Sequence, residues 1–364
     1  MHRTHGGNLQ VLAPTYGFQI KETLDFSANL NPYGPPSLAR VQLQAALENI
    51  AYYPDWEYKK LRSALSEWEG VGVSNVVAAN GASELIAWIP VLVQTPKALM
   101  VGPTFTEYEQ AVHSKNGGVQ YALALEGDGF RYPFVIKEEK CGEYNLVFFA
   151  NPNNPTGNFY SNELLGYWME RWWSKNPETI FVSDESFLPF LGEGKKFSLN
   201  SFAAKKERVI VLHSLTKILS IPGLRLGYAV AHSKTLCMLE KILPAWRVNC
   251  LAEKIGESVL EYSDFMVNSA KFIQHDREEL ARQLEDFTEF KVFASAANFI
   301  LVKCSPEISA AHLTENLAKR GIFVRLCNDF KGLEEDRFIR VAVRIKKENE
   351  ILVAALREFS THGG

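Results

Sequence analysis

Short apolar runs alternate along this chain with longer segments whose apolar positions recur every three or four residues. Ala98–Val101, Leu146–Ala150, Ile180–Val182, Val209–Leu212 and Gly227–Val230 are short, apolar and rich in Val, Ile or Phe. Such runs without polar alternation predict strands buried on both faces, as in a largely parallel sheet. Helical stretches lie between several of them. Glu163 to Trp173 is one, and Trp168 and Trp172, four apart, read as core packing on one helix face. After Val230 the texture changes. Residues 252–288 predict one or two long helices with a solvated face at Asp276, Arg277, Glu278, Glu279 and Arg282. Short strands at Phe299–Val302, Ile322–Val324 and Phe338–Val343 follow, the pattern of a smaller α+β domain. No internal repeat, low-complexity tract or Gly/Ser linker is visible, so the two parts are expected to pack together.

Length and composition sharpen this only slightly. The 364 residues fit two domains, and 46% hydrophobic with 22% charged residues excludes global disorder. The 39 basic and 42 acidic residues give a net charge of −3, which argues against a generally basic nucleic-acid surface. Five cysteines stand far apart with no CxxC pair. Neither a disulfide framework nor a cysteine metal site is expected, and a reducing compartment fits. No apolar run reaches the roughly 18 residues of a membrane helix. The opening Met-His-Arg-Thr-His-Gly-Gly-Asn lacks the apolar core of a signal peptide. The expectation is a cytoplasmic protein with no nucleic-acid, membrane or metal partner.

The most informative stretch is His213-Ser-Leu-Thr-Lys-Ile-Leu-Ser-Ile-Pro-Gly-Leu-Arg-Leu-Gly-Tyr228, directly after the strand Val209–Leu212. A lysine at a buried strand end is costly unless paired or used. One use is a Schiff base with an aldehyde, which needs a lysine of lowered pKa. Ser214, Thr216 and Arg225 nearby suit an anchored phosphate. Taken alone, a lysine simply emerging at a strand end fits equally well. Asp184 closes Phe181-Val182-Ser183, and a carboxylate there needs a cationic partner or serves as a helix cap. Asn151-Pro-Asn-Asn-Pro-Thr-Gly157 forms a loop at a strand's carboxyl end, where α/β proteins place ligands. Asn80-Gly-Ala-Ser-Glu-Leu-Ile86 follows Val76–Ala79. It offers a tight glycine turn with free N–H groups at a helix start, suited to a phosphate or to a plain cap.

Together, and in this order, these segments resemble the fold type I, aspartate-aminotransferase-like enzymes that use pyridoxal 5′-phosphate. The resemblance implies an α/β fold with a large domain built on a mostly parallel sheet and a smaller α+β domain. The expected division is 36–245 for the cofactor domain, and 1–35 with 246–364 for the small one. By the same resemblance Lys217 carries the cofactor, Asp184 pairs with its ring nitrogen and Asn154 with its ring oxygen. Ala82, Ser83, Ser214 and Arg225 hold its phosphate, and Phe105 stacks on the ring. Tyr53 resembles the tyrosine that reaches the neighbouring subunit's cofactor phosphate, which implies a homodimer with shared sites. One departure stands out: many aminotransferases carry a tyrosine three residues after the aspartate, and here Phe187 takes that place.

Two subgroups look closest: histidinol-phosphate aminotransferases and the threonine-phosphate decarboxylases of cobalamin biosynthesis. Three features favour the second. His5-Gly6-Gly7-Asn8 precedes Asp25-Phe-Ser-Ala-Asn-Leu-Asn-Pro32, and an N-terminal segment of that kind can lie against a phosphate. Phe187 matches that subgroup. Arg340-Val-Ala-Val-Arg344, with Arg325, places cations in the small domain, as a substrate with both a carboxylate and a phosphate requires. An even spacing puts Arg340 and Arg344 on one face of a regular strand. The resemblance assigns Arg340 to the substrate carboxylate. It sets Arg325, His5 and Asn29 mainly around the substrate phosphate, with Gly6 and Gly7 beside them and Arg344 one layer behind. The substrate expected is a small phosphorylated amino acid. A non-catalytic regulator on this fold would carry a DNA-binding domain, and no helix-turn-helix fits ahead of the aminotransferase-like region.

Overall fold

A computed structural model describes residues 6–132 and 138–361. Its strands, in chain order, are β1 (Leu24–Phe26), β2 (Val76–Asn80), β3 (Lys97–Gly102), β4 (Gly118–Leu123), β5 (Leu146–Ala150) and β6 (Ile180–Asp184). They continue with β7 (Val209–Ser214), β8 (Leu226–Ala231), β9 (Phe290–Val292), β10 (Phe299–Cys304), β11 (Ile322–Leu326) and β12 (Phe338–Ala342). Seven form one sheet in the order β2-β8-β7-β6-β5-β3-β4. Only β8 runs against its neighbours β2 and β7; the pairs β3–β4, β3–β5, β5–β6 and β6–β7 are parallel. This is the α/β, mostly parallel architecture the apolar runs predict. The apolar strands β5 to β8 are buried along their whole length because helices cover both faces.

The helix Asn162–Trp173 lies on one face. Ser161 caps it by accepting the N–H of Leu164, and Trp168 and Trp172 meet Phe181 of β6 edge-on at 5.1 and 5.7 Å. Trp172 Nε1 also donates to Thr179 Oγ1 at 2.9 Å, so its one polar atom is satisfied inside the core. The region expected to hold one or two long helices holds two, Cys250–Glu257 and Ser263–Glu285, separated by a single tighter turn.

The second sheet has the order β1-β11-β12-β10-β9. β1 comes from the N-terminal stretch and pairs in parallel with β11 through Leu24↔Ile322 and Phe26↔Val324. Strands β1, β4 and β9 carry no strong apolar signal: two are three residues long, and β4 is a partly exposed edge strand.

Parallel order places the carboxyl ends of β5, β6 and β7 side by side, with Ala150 opposite Asp184 and Asp184 opposite Leu212. β2 ends at the same edge. Because β8 is antiparallel, its first residue Leu226 pairs with Asn80, which brings Arg225 to that edge as well. The chain loops that leave these ends carry the motifs singled out above.

Candidate active site

A cavity of about 210 Å³ lies at this edge, between the two sheets. Lys217 sits in its wall, on the one-turn helix Leu215–Ile218 that leaves β7. Burial, reinforced by the Arg225 and Arg340 guanidiniums and only partly offset by Asp184, pushes the ammonium down to about 8. Near neutrality about a tenth of this amine is therefore unprotonated, against well under about one part in a thousand for an ordinary lysine, and that is the form that adds to an aldehyde.

Asp184 is buried at the end of β6. Its Oδ1 accepts the N–H of Ser186 at 2.9 Å, and its Oδ2 accepts the hydroxyl of Tyr108 at 2.7 Å. Asn154 is buried on the neighbouring loop, and Arg340 Nη1 donates to its Oδ1. That bond fixes the amide orientation, because guanidinium only donates. The Nδ2 donors of Asn154 are thereby left for another acceptor. Phe187 lines the cavity and packs edge-on against Phe299 at 5.0 Å, so no phenol is available where a tyrosine is common.

On the other side Ser83, Ser214, Thr216 and Arg225 form a polar cup. Arg225 Nη2 donates to Ser83 Oγ at 2.8 Å, and the Ser214 and Thr216 hydroxyls lie 2.7 Å apart. The turn Gly81-Ala82 is pressed onto this cup. Gly81 has φ +75°, and a Cβ there would stand 2.6 Å from Arg225 Nη2. Arg225 itself adopts a left-handed φ of 59°, a conformation that non-glycine residues hold only where the surroundings enforce it. Phe105 faces the cavity with its ring edge-on to Tyr108.

The small sheet supplies the opposite wall. Arg325 on β11 and Arg340 on β12 are direct cross-strand partners, both buried and both lining the cavity. Like charges opposite each other destabilise a sheet unless something neutralises them. Arg325 is held by Asp329 at 2.6 Å and donates to the carbonyl of Leu326. Arg340 donates to the carbonyl of Ser27 at 2.8 Å, and its Nε is buried without a hydrogen-bond partner among the described residues. Burial, with Arg325 adding to it, pushes Arg340 down to about 10. Asn29 is also buried here, with Oδ1 unpartnered among the described residues.

Gly6 lines the cavity mouth and Gly7 donates to Ser27 Oγ at 2.8 Å. A Cβ on Gly6 would overlap the Ser27 carbonyl oxygen at 2.0 Å, which explains a glycine at that place. His5 lies outside the described residues. The same-face argument for Arg344 requires a correction. β12 ends at Ala342, so strand alternation does not extend to it. Its side chain turns to Glu348 at 2.7 Å and to the carbonyl of Asp25 at 3.2 Å, outside the cavity wall. Tyr53 is 80% exposed and packs on Trp246 at 4.7 Å, away from the cavity of its own chain. Sequence reasoning missed Tyr108, whose only signal is its position three residues after Phe105. It also missed Asp329, four after Arg325.

This is an amine, an acid, an amide and a polar cup arranged around one cavity on an α/β scaffold. The chain belongs to the class I and II aminotransferase family, whose profile matches residues 21–356. Its cofactor is pyridoxal 5′-phosphate. The residues present fit that group: Lys217 for its aldehyde, Asp184 for its ring nitrogen, and the cup, closed by the Gly81 turn, for its phosphate.

Among curated proteins, the chain is 35% identical to the adenosylcobalamin biosynthesis bifunctional protein of Leptospira interrogans. That match covers 96% of this chain but only 40% of that protein. It is 32% identical to the threonine-phosphate decarboxylase of Salmonella typhimurium, over 98% of this chain and 96% of that one. It is 31% identical to histidinol-phosphate aminotransferase 2 of Archaeoglobus fulgidus, over 94% of both. Among solved structures, histidinol-phosphate aminotransferase from Clostridium acetobutylicum superposes with TM-score 0.86 at 25% identity, covering 93% of this chain and 99% of that one. The enzyme of that name from Sinorhizobium meliloti, in complex with pyridoxal 5′-phosphate, gives 0.85 at 22%, covering 96% and 93%.

Proposed function

We propose that this chain decarboxylates L-threonine O-3-phosphate to (R)-1-aminopropan-2-ol O-phosphate for cobamide nucleotide-loop synthesis in the cytoplasm, with L-serine O-phosphate as a second substrate to be tested. The observation that carries this reading is the pair Arg325 and Arg340, buried side by side on the cavity wall in direct register. Asp329 pairs with Arg325, but Arg340 has no salt bridge among the described residues, so two guanidiniums share one carboxylate and an acidic ligand would complete the balance; a substrate with a carboxylate and a phosphate presents an acid to each. Histidinol phosphate has no carboxylate. The named decarboxylase relative supports the same direction.

When bound, the cofactor supplies an electron sink for whichever substrate bond stands perpendicular to its ring. The protein's part is orientation. Arg340 is assigned to the substrate carboxylate and Arg325, with Asn29 and the Gly6 segment, to the phosphate. Holding both ends would set which α-carbon bond is presented to the cofactor, favouring the carboxylate over the α-hydrogen. Asp184 holds a proton at the ring nitrogen, and the Asn154 amide donates to the ring oxygen. Lys217 Nζ returns a proton at the α-carbon once carbon dioxide has left. The reading includes a homodimer in which the exposed Tyr53 reaches the neighbouring site, and a division into 36–245 and 1–35 with 246–364.

The test is a product assay on the purified holoenzyme with each phosphoamino acid and no keto acid. Carbon dioxide and the aminoalcohol phosphate are expected in equal amounts. Turnover that depends strictly on 2-oxoglutarate would instead make the protein an aminotransferase, the activity its other relatives are named for.

A further inference from the structure

Phe105 precedes the helix Glu107–His113 and Tyr108 lies in its first turn, with the two rings in contact. The Tyr108 ring is 1% exposed. It stacks on Phe148 of β5, with centroids 5.4 Å apart and planes within 16°. It meets Phe105 edge-on at 5.6 Å. Its hydroxyl donates to Asp184 Oδ2 at 2.7 Å, while the N–H of Ser186 holds Oδ1 at 2.9 Å. One side chain therefore touches both the ring that faces the cavity and the acid at its floor.

We propose that Tyr108 is a positioning residue for the cofactor: its hydroxyl orients Asp184 and takes up part of that carboxylate's negative charge, while its ring backs Phe105. This rests on the reading in which Asp184 faces the cofactor ring nitrogen and Phe105 its face. A buried phenol beside a carboxylate acts as a donor at every working pH, because burial and the Asp184 charge hold it protonated well above the usual range. A donor on a carboxylate draws off electron density. Asp184 then neutralises the ring cation less completely, and positive charge spreads further over the conjugated ring. Without the donor, that charge is better compensated and the protonated form of the bound chromophore persists to higher pH. Among the described residues no backbone group donates to Oδ2.

Tyr108→Phe removes the donor and keeps the ring. In the holoenzyme, the pH midpoint of the cofactor's visible absorbance is expected to rise by about 0.5 unit or more. Phe105→Leu is expected to weaken cofactor binding, read by dialysis against free pyridoxal phosphate, with the midpoint unmoved. Asp184→Asn should move the midpoint furthest. If Asp184→Asn leaves it in place, the assignment of Asp184 fails. If Asp184→Asn moves it while Tyr108→Phe stays within about 0.1 unit, the inference about Tyr108 fails. Where Tyr108→Phe yields no folded chain, Phe148→Leu slackens the phenol's seat from behind. An unmoved midpoint in that variant equally overturns the proposal.

Discussion

Replacing Arg340 by methionine separates what the fold needs from what the site needs. The guanidinium is 5% exposed, opposite a second arginine, and its Nε finds no partner among the described residues. Burial and Arg325 together push it down to about 10, a drop from an arginine's ordinary value worth about 3 kcal/mol. That is the order of the penalty the folded chain carries for keeping the charge. Against it stand the hydrogen bonds to Asn154 Oδ1 and Ser27 O. Losing each partner costs about 1 kcal/mol, less where cavity water replaces it. Methionine keeps the apolar contact with Phe299, over which the guanidinium lies at 5.4 Å. The balance predicts that the cofactor-free Arg340→Met chain is as stable as the parent or about 1 kcal/mol more stable. On the proposed reading activity moves the other way: loss of a buried charged contact to a substrate acid lowers kcat/KM by about 100-fold or more. Urea unfolding of the cofactor-free chain at neutral pH, with the slope checked for change, measures the first quantity. A variant that loses more than about 2 kcal/mol would refute the reasoning, because the guanidinium would then be a net structural support.

Lys217 is a base whose folded value lies below its ordinary one, so the unfolded chain binds more protons between about 8 and the usual lysine range. Its destabilising contribution to the cofactor-free chain is therefore full below about 8 and fades as pH rises; cofactor uptake, followed by absorbance, should speed up with pH and level off near 8. Gly6→Ala places a methyl on the Ser27 carbonyl, so the N-terminal segment must lift. Substrate KM is expected to rise about tenfold with cofactor affinity unchanged, and equal loss of both would refute the local effect. Trp172→Phe leaves Thr179 Oγ1 without its indole donor and opens space beside Phe181; about 2 kcal/mol of stability should be lost in a thermal or urea melt.

What was legible in the sequence was what is contiguous. β5, β6 and β7 read as apolar runs because their burial is local to a few residues, and the motifs that follow them are unbroken words. The contacts made by those words were not legible. Tyr108 reaches an acid 76 positions away, and Arg340 reaches a carbonyl 313 positions away. No periodicity records such meetings. Strand alternation failed at Arg344 for a simple reason: the strand stops two residues earlier, and the chain turns into the helix Lys346–Thr361. β4 was hidden because an edge strand needs little apolar sequence, its outer side facing no other strand.

The cations of the cavity also bear on when Lys217 holds its proton. Arg225 and Arg340 both act to depress its affinity for a proton. A phosphate in the Ser83–Ser214–Arg225 cup compensates the first of these charges, and a substrate acid at Arg340 compensates the second. Each anion that arrives raises the proton affinity of the amine. The lysine is thus more nucleophilic with the cofactor phosphate seated but the substrate acid absent, when it must add to the aldehyde, than with both anions seated. It becomes a better proton carrier with both anions seated, when the α-carbon must be reprotonated. On the proposed reading, one electrostatic arrangement suits Lys217 to two successive tasks, with the order set by which anions are present.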